Sequence, residues 1–230
     1  MIYEYNFMEN PGGDTKIWRY MDFTKFVSLI STNNLIFPRA DMFDDPYEGV
    51  FPLKTIEAVR EHNSVDIANQ LIVGSEAFQK SVFVSCWHMS DFESAAMWDL
   101  YLSGTEGVAI QTDVDTLREF FKTSELQIST SKIKYLDYDS QVIPATNMMY
   151  PYVHKRNSFE HEKEFRALIS DHDTNDAIKQ VKINARDLIK RVYVCPKAPN
   201  WFYEIVVDVV KQYGVDVPIE KSAMYTRPTY

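Results

Sequence analysis

Two glutamates stand one residue apart in Glu160-His161-Glu162-Lys163-Glu164-Phe165-Arg166-Ala167-Leu168-Ile169, directly ahead of an apolar run that reads as a strand. Side chains on a strand alternate between faces, so Glu162, Glu164 and Arg166 are expected on one side with Phe165, Ala167 and Ile169 on the other. Two carboxylates sharing one edge repel each other. A proton, a metal ion, a cationic substrate or a nearby arginine relieves that repulsion. The same residues also suit a solvated edge on which Lys163 and Arg166 pair with the glutamates.

Other residues carry chemistry of a different kind. Arg19, inside the aromatic stretch Lys16–Met21, offers a planar fork for phosphate or carboxylate, or pairs internally with Glu164 or Asp45. The segment Phe43-Asp44-Asp45-Pro46-Tyr47-Glu48-Gly49 gathers carboxylates around a proline-fixed turn. That suits a divalent cation or ribose hydroxyls, and it equally suits a plain turn start. Ser85-Cys86-Trp87-His88 holds nucleophile types, but Cys86 and His88 share a strand face without any reason to hydrogen-bond, and a buried thiol is expected. Trp98 and Tyr101 are three apart on one helix face, fit for stacking on a base or for the core. His62, His88, His154, His161 and His172 show neither HxxxH nor HExxH spacing, so no histidine metal centre is expected.

The elements that must position these groups follow from periodicity. Lys16–Met21 reads as a strand, with Asp22 as N-cap of a helix to Asn34 in which Phe23, Phe26, Val27 and Ile30 share a face. Leu35–Ala40 reads as a strand limited by Pro38, then helices span about 53–62 and 65–79. Ser81–His88 reads as a buried strand, Ala95–Tyr101 as a helix, Val108–Thr112 as a strand, and Asp113 opens a further helix through Phe121. Leu126–Tyr138 gives one or two strands, Tyr150–Ser158 a helix, 181–184 and 191–196 strands flanking a short helix at 185–189, and Trp201–Tyr213 an amphipathic helix before an extended tail.

The elements mix without a regular βαβ rhythm, and with only 7 glycines the chain has neither GxGxxG nor GxxxxGK[ST]. The expected fold is α+β, with mixed, mostly antiparallel strands in two layers around a cleft and helices outside. Nothing in 230 residues forces a domain cut, so one domain spanning 1–230 is expected. A hydrophobic fraction of 45% with 25% charged residues is that of a compact chain rather than a disordered one. The net charge of −9 weighs against nucleic acid as a partner while leaving a local basic groove at Lys155 and Arg156 open. Cys86 and Cys195 form no CxxC pair, which suggests neither disulfide nor zinc and fits a reducing, cytoplasmic setting. The first residues lack a basic segment followed by an apolar run, and no stretch is long and apolar enough to span a membrane.

Taken in order, IWRYM, NNLIFPRA, FDDPYEG, FVSCWH, MWDLYLSGTEGVAI and FEHEKEFRALI resemble domain of unknown function 2971, a largely bacterial family, over most of the chain. More distantly, an arginine on the first strand, a serine on a middle strand and Glu-x-Glu at a late strand are similar to the Arg-Ser-Glu arrangement of ADP-ribosyltransferases. That resemblance implies a catalytic set of Arg19 on the NAD phosphates, Ser85 bracing the nicotinamide half, Glu164 stabilising the oxocarbenium ion and Glu162 orienting the acceptor. Tyr20, Asp45, Glu48, Trp98, Tyr101 and Arg166 are then expected around the substrate. It implies NAD as substrate, no metal, a macromolecular acceptor, and a role as a toxin or defence effector. The chain departs from that pattern in placing Cys86-Trp87 after Ser85 and Arg166 two residues after Glu164, where it can neutralise the glutamate. Two other readings remain: a binding module without catalysis, and a magnesium-dependent nuclease or phosphohydrolase built on Asp44, Asp45, Glu48, Glu162 and Glu164 with Lys155 and Arg156 facing phosphate.

Overall fold

The structure, a computed structural model, describes residues 1–228. Strand β1 (Lys16–Asp22), helix α1 (Phe23–Thr32) and strand β2 (Asn34–Pro38) come first, then helices α2 (Leu53–His62) and α3 (Val65–Phe78) and strand β3 (Val82–Met89). Helix α4 (Ala95–Tyr101), strand β4 (Gly107–Asp113), helix α5 (Val114–Lys122) and strands β5 (Ile128–Lys132), β6 (Lys134–Leu136), β7 (His154–Arg156), β8 (Glu164–Ser170) and β9 (Ile178–Lys182) follow. Helix α6 (Ala185–Leu188), strand β10 (Arg191–Val194), helix α7 (Asn200–Gln212) and strand β11 (Ile219–Lys221) complete the elements. Seven strands form one mostly antiparallel sheet in the order β11-β10-β4-β1-β3-β8-β5, while β2 with β9 and β6 with β7 make two-stranded ribbons. This is the α+β class that the mixed periodicity implies.

The residues group into two compact units, with the division running through β2, β3 and β9. The first holds residues 1–10, 36–86 and 125–179. Its interior is built on Ala40, Val82, Val84, Met149, Tyr152, Val153 and Leu168, with a second cluster of Phe51, Ile56, Ala68 and Ile143 beneath the α2–α3 hairpin. Here β5 runs antiparallel to β8, with Ser131 opposite Arg166 and Lys132 opposite Phe165.

The second unit holds residues 11–35, 87–124 and 180–228 of the described chain. β1 pairs with β4 over its full length, Arg19 facing Ile110 across the ladder. Two cap residues show how sequence sets local structure. Asp113 accepts a hydrogen bond from the Thr116 amide at 2.9 Å and opens α5 as a side-chain N-cap. Asp22 occupies the equivalent place before α1, but its carboxylate accepts from the Ser103 amide and hydroxyl at 2.9 and 3.0 Å instead of capping the helix.

The stretch expected as a helix over Tyr150–Ser158 is a 3-10 turn at Tyr150–Val153, strand β7, and a second 3-10 turn at Asn157–Glu162. Pro151 stands in the first turn, where a proline is tolerated, and the chain leaves the turn at His154, which is extended. Lys163 then adopts a left-handed φ of 40°, and β8 begins only at Glu164. Among the described residues no helix is long and apolar enough to cross a membrane.

Candidate functional site

The first unit concentrates its charge around Arg166. This side chain is fully buried, at 0% exposure, in the middle of β8. Its Nη1 and Nη2 donate to Glu48 Oε1 and Oε2 at 2.5 and 2.9 Å, and its Nε and Nη2 donate to Glu164 Oε1 and Oε2 at 2.8 and 3.1 Å. A further bond from Nη1 reaches the Tyr152 carbonyl at 3.1 Å. Two bidentate forks plus one carbonyl match the donor inventory of a guanidinium, which is how a buried arginine keeps its charge. The arginine two residues beyond Glu164 therefore does bind that carboxylate.

Lys155, on β7, links the other glutamate to the same group. Its Nζ lies 2.5 Å from Glu162 Oε2 and 3.6 Å from Glu164 Oε2. Two cations thus serve the three carboxylates of Glu48, Glu162 and Glu164. Burial works against the Lys155 ammonium, but the charges of Glu164 and Glu162 outweigh it and hold the lysine protonated.

The paired glutamates respond to this setting in opposite senses. Burial would raise the Glu164 carboxyl, yet Arg166 and Lys155 overcome it and hold the group down at about 2. Burial pushes the Glu162 carboxyl up from 4.5 and the negative charge of Glu164 adds to that, with Lys155 opposing. Both are buried, at 8% exposure for Glu162 and 3% for Glu164. The expectation of a polar edge is corrected here: Glu162 ends a 3-10 turn rather than lying on the strand, and Glu164 with Arg166 faces the interior. The Glu164 amide donates to the Tyr135 hydroxyl at 2.8 Å, so the turn from Glu162 into β8 is fixed at its backbone as well.

The Asp44–Gly49 loop is tied into this network at two points. Glu48 takes the Arg166 fork, and Asp45 Oδ1 accepts from Arg156 Nη2 at 2.8 Å while also receiving the Tyr47 amide at 3.0 Å. The arginine partners of Glu164 and Asp45 are therefore Arg166 and Arg156. Gly49 holds φ at +72°, and a Cβ there would sit 2.5 Å from the Tyr152 hydroxyl, so only glycine fits the turn. Among the described residues, no group of three or more His, Cys, Asp or Glu is placed to hold a metal ion.

The remaining sequence-predicted residues have distinct settings. Ser85 lies on β3 at 0% exposure, and the adjacent Cys86 thiol hydrogen-bonds Glu164. Burial, then the charge of Glu164, pushes that thiol well above its usual range, which disfavours the thiolate a nucleophile needs. Arg19 belongs to the second unit, half-buried, with its guanidinium 5.7 Å from the Trp87 ring centroid. Tyr20 is buried, accepts the Ser94 amide at 2.9 Å, and meets Trp98 edge to face at 4.9 Å. Trp98 is itself a core residue donating to Glu93 at 3.1 Å, whereas Tyr101 is exposed.

Cavities in the second unit have a different lining. One of about 120 Å³ is bordered by Trp98, Asp99, Cys195 and Lys197, and a wider one of about 540 Å³ by Asn33, Lys182, Arg186 and Tyr213. Of the predicted site residues only Trp98 borders either. Sequence reasoning missed Lys155 as the bridge between the glutamates and Glu48 as the second clamp on Arg166. The pairing of Lys155 with Glu162, seven residues apart across a turn, had a signal in the basic pair before the acidic run; the link from Glu48 to Arg166 spans 118 residues and had none.

Neither a protein-family model nor a curated protein sequence matches the chain, so the resemblance to domain of unknown function 2971 stands on its motifs alone. Among solved structures, DarT of Thermus sp. 2.9 in complex with carba-NAD+ aligns with a TM-score of 0.44 and 8% identity, over 93% of this chain and 97% of that one. The NAD+ complex gives 0.44 and 8% over 92% and 96%, and the complex with ADP-ribosylated ssDNA gives 0.43 and 8% over 94% and 97%. Likeness at this level assigns no residue a role, and the site is read from its own geometry.

Proposed function

We propose that the protein is an NAD-consuming ADP-ribosyltransferase-like enzyme whose chemistry runs at the glutamates entering β8. The observation that carries the reading is the unequal clamping of the two glutamates: the Arg166 fork with Lys155 nearby holds Glu164 ionised, while burial pushes up the Glu162 carboxyl beside Lys155. Neighbouring titratable groups driven apart in this way are suited to separate electrostatic and proton-transfer roles. Cleavage of the nicotinamide–ribose bond sends its electron pair to the pyridinium nitrogen and leaves positive charge on the ribose. A rigid carboxylate at Glu164 stabilises that charge more in the transition state than in the ground state. As the acceptor oxygen or nitrogen bonds to the ribose carbon, its proton passes to Glu162. Ser85, in the same unit as the glutamates, keeps the role that the Arg-Ser-Glu order implies, beside the nicotinamide half.

The saturation of Arg166 favours a second reading, in which Glu48, Glu164 and Arg166 form a structural clamp in a non-catalytic binding module. Nicotinamide release from NAD separates the two. Under the transferase reading the wild type releases nicotinamide, and Glu162→Gln, which keeps the size of the side chain, lowers the rate by about 100-fold, the scale of a lost general base. Absence of release, or an unchanged rate in Glu162→Gln, leaves the clamp.

A further inference from the structure

A strip of alternating rings and cations leads to the glutamates within the first unit. The Arg156 guanidinium lies 4.3 Å from the Tyr47 ring centroid and 5.2 Å from that of Phe159. Lys155 Nζ lies 4.5 Å from the same Phe159 ring, and this lysine bridges Glu162 and Glu164. The order along the strip is Tyr47, Arg156, Phe159, Lys155 and then the carboxylates. Its far end is open: Tyr47 is 42% exposed and the Arg156 side chain 33%. Asp45 takes one Arg156 nitrogen and orients the fork, while Nε of the same guanidinium is buried without a hydrogen-bond partner among the described residues.

Resting on the transferase reading and extending it to substrate recognition, the geometry points to this strip as the binding face for a nucleoside diphosphate. A base stacks on a ring regardless of its identity, and Tyr47, 42% exposed and meeting Tyr138 edge to face at 6.0 Å, offers its open part for that contact. The diphosphate meets a planar, one-third-exposed guanidinium with two rings close by, a fork suited to a tetrahedral oxyanion. A dinucleotide bound this way runs its ribose–nicotinamide end toward Lys155 and the glutamates. Asp45 offsets part of the Arg156 charge, so recognition depends on the fork and the ring together rather than on charge alone.

Calorimetric titration with ADP, adenosine and inorganic pyrophosphate tests the assignment on the full chain. ADP is expected to bind the wild type. Tyr47→Leu should weaken ADP and adenosine by about tenfold, the scale of one base stack, and leave pyrophosphate unchanged. Arg156→Lys keeps the charge but loses the planar fork, and should weaken ADP and pyrophosphate to a similar degree. Thermal unfolding of both variants provides the control for folding. No ADP binding at millimolar concentration, or a response in one variant without the other, overturns the strip. ADP lacks the nicotinamide bond, so the outcomes are separable: ADP binding that responds to both variants without nicotinamide release sinks the transfer reaction alone. Nicotinamide release with ADP affinity insensitive to both variants sinks the strip alone.

Discussion

Arg166 and Arg19 each rise from the middle of a strand, yet the two units use them in opposite ways. In the first unit Arg166 is fully buried, and its donors are taken by Glu48, Glu164 and the Tyr152 carbonyl. In the second, Arg19 is half-buried with its guanidinium over the Trp87 ring, and carboxylates such as Asp22 and Asp113 bind backbone amides at element ends. The first arrangement fixes charge in a dry interior, where each group depends on its partner. The second spreads polar contacts over a surface where water shares the load. Loss of one residue should accordingly be felt far more in the first unit.

Arg166→Met breaks that comparison most severely, because it strands Glu48 and Glu164 as buried charges; a loss of about 3–5 kcal/mol is expected by urea unfolding. The same exchange at Arg19, half-buried with its guanidinium over the Trp87 ring, should cost less, about 1–2 kcal/mol. Equal losses would mean that burial is not what separates the two.

Next in size is an acid limb of stability. The Glu164 carboxyl falls from 4.5 to about 2 on folding, so its contribution is complete above 4.5 and disappears as pH drops from there toward 2. Glu162 has the reverse sign: raised on folding, it favours the native state below 4.5 and loses that contribution as pH climbs through its folded value. Unfolding midpoints against pH should show the limb in the wild type, lose it in Glu164→Gln, and be no lower for Glu162→Gln at neutral pH.

Gly49→Ala sharpens the comparison at the loop that carries Glu48. With φ at +72° and a Cβ 2.5 Å from the Tyr152 hydroxyl, it should lower stability by about 2 kcal/mol. In the second unit, Asp22→Ala removes two hydrogen bonds to Ser103 and should cost about 1 kcal/mol in the same assay.

Most of the second unit was legible from local pattern. Phe26 and Ile30 are buried on the face that a period of 3.6 gives the first helix, and Asp113 caps a helix as its position suggests. The first unit was less legible because its decisive contacts are remote in sequence. The acidic loop at 44–48 and the Glu-x-Glu run were visible as charge, but which cation each would meet depends on chain reversals that no short window encodes. Between Tyr150 and Glu162 the aromatic and basic residues match helix, strand and turn almost equally, and the chain turns extended at His154 and then into a second 3-10 turn. Tyr20 and Trp98, read as contacts for a substrate, meet each other in the core, the commoner fate of large aromatic residues.

The claim that most needs testing is that Glu162 works as a base while Glu164 remains charged beside it. Nicotinamide release from NAD, followed as a function of pH, addresses it directly. The wild type should show a rising limb centred above 4.5, where Glu162 gives up its proton, and Glu162→Gln should be slow and lack that limb. A wild type that releases no nicotinamide, or a Glu162→Gln profile that overlays it, would contradict the account.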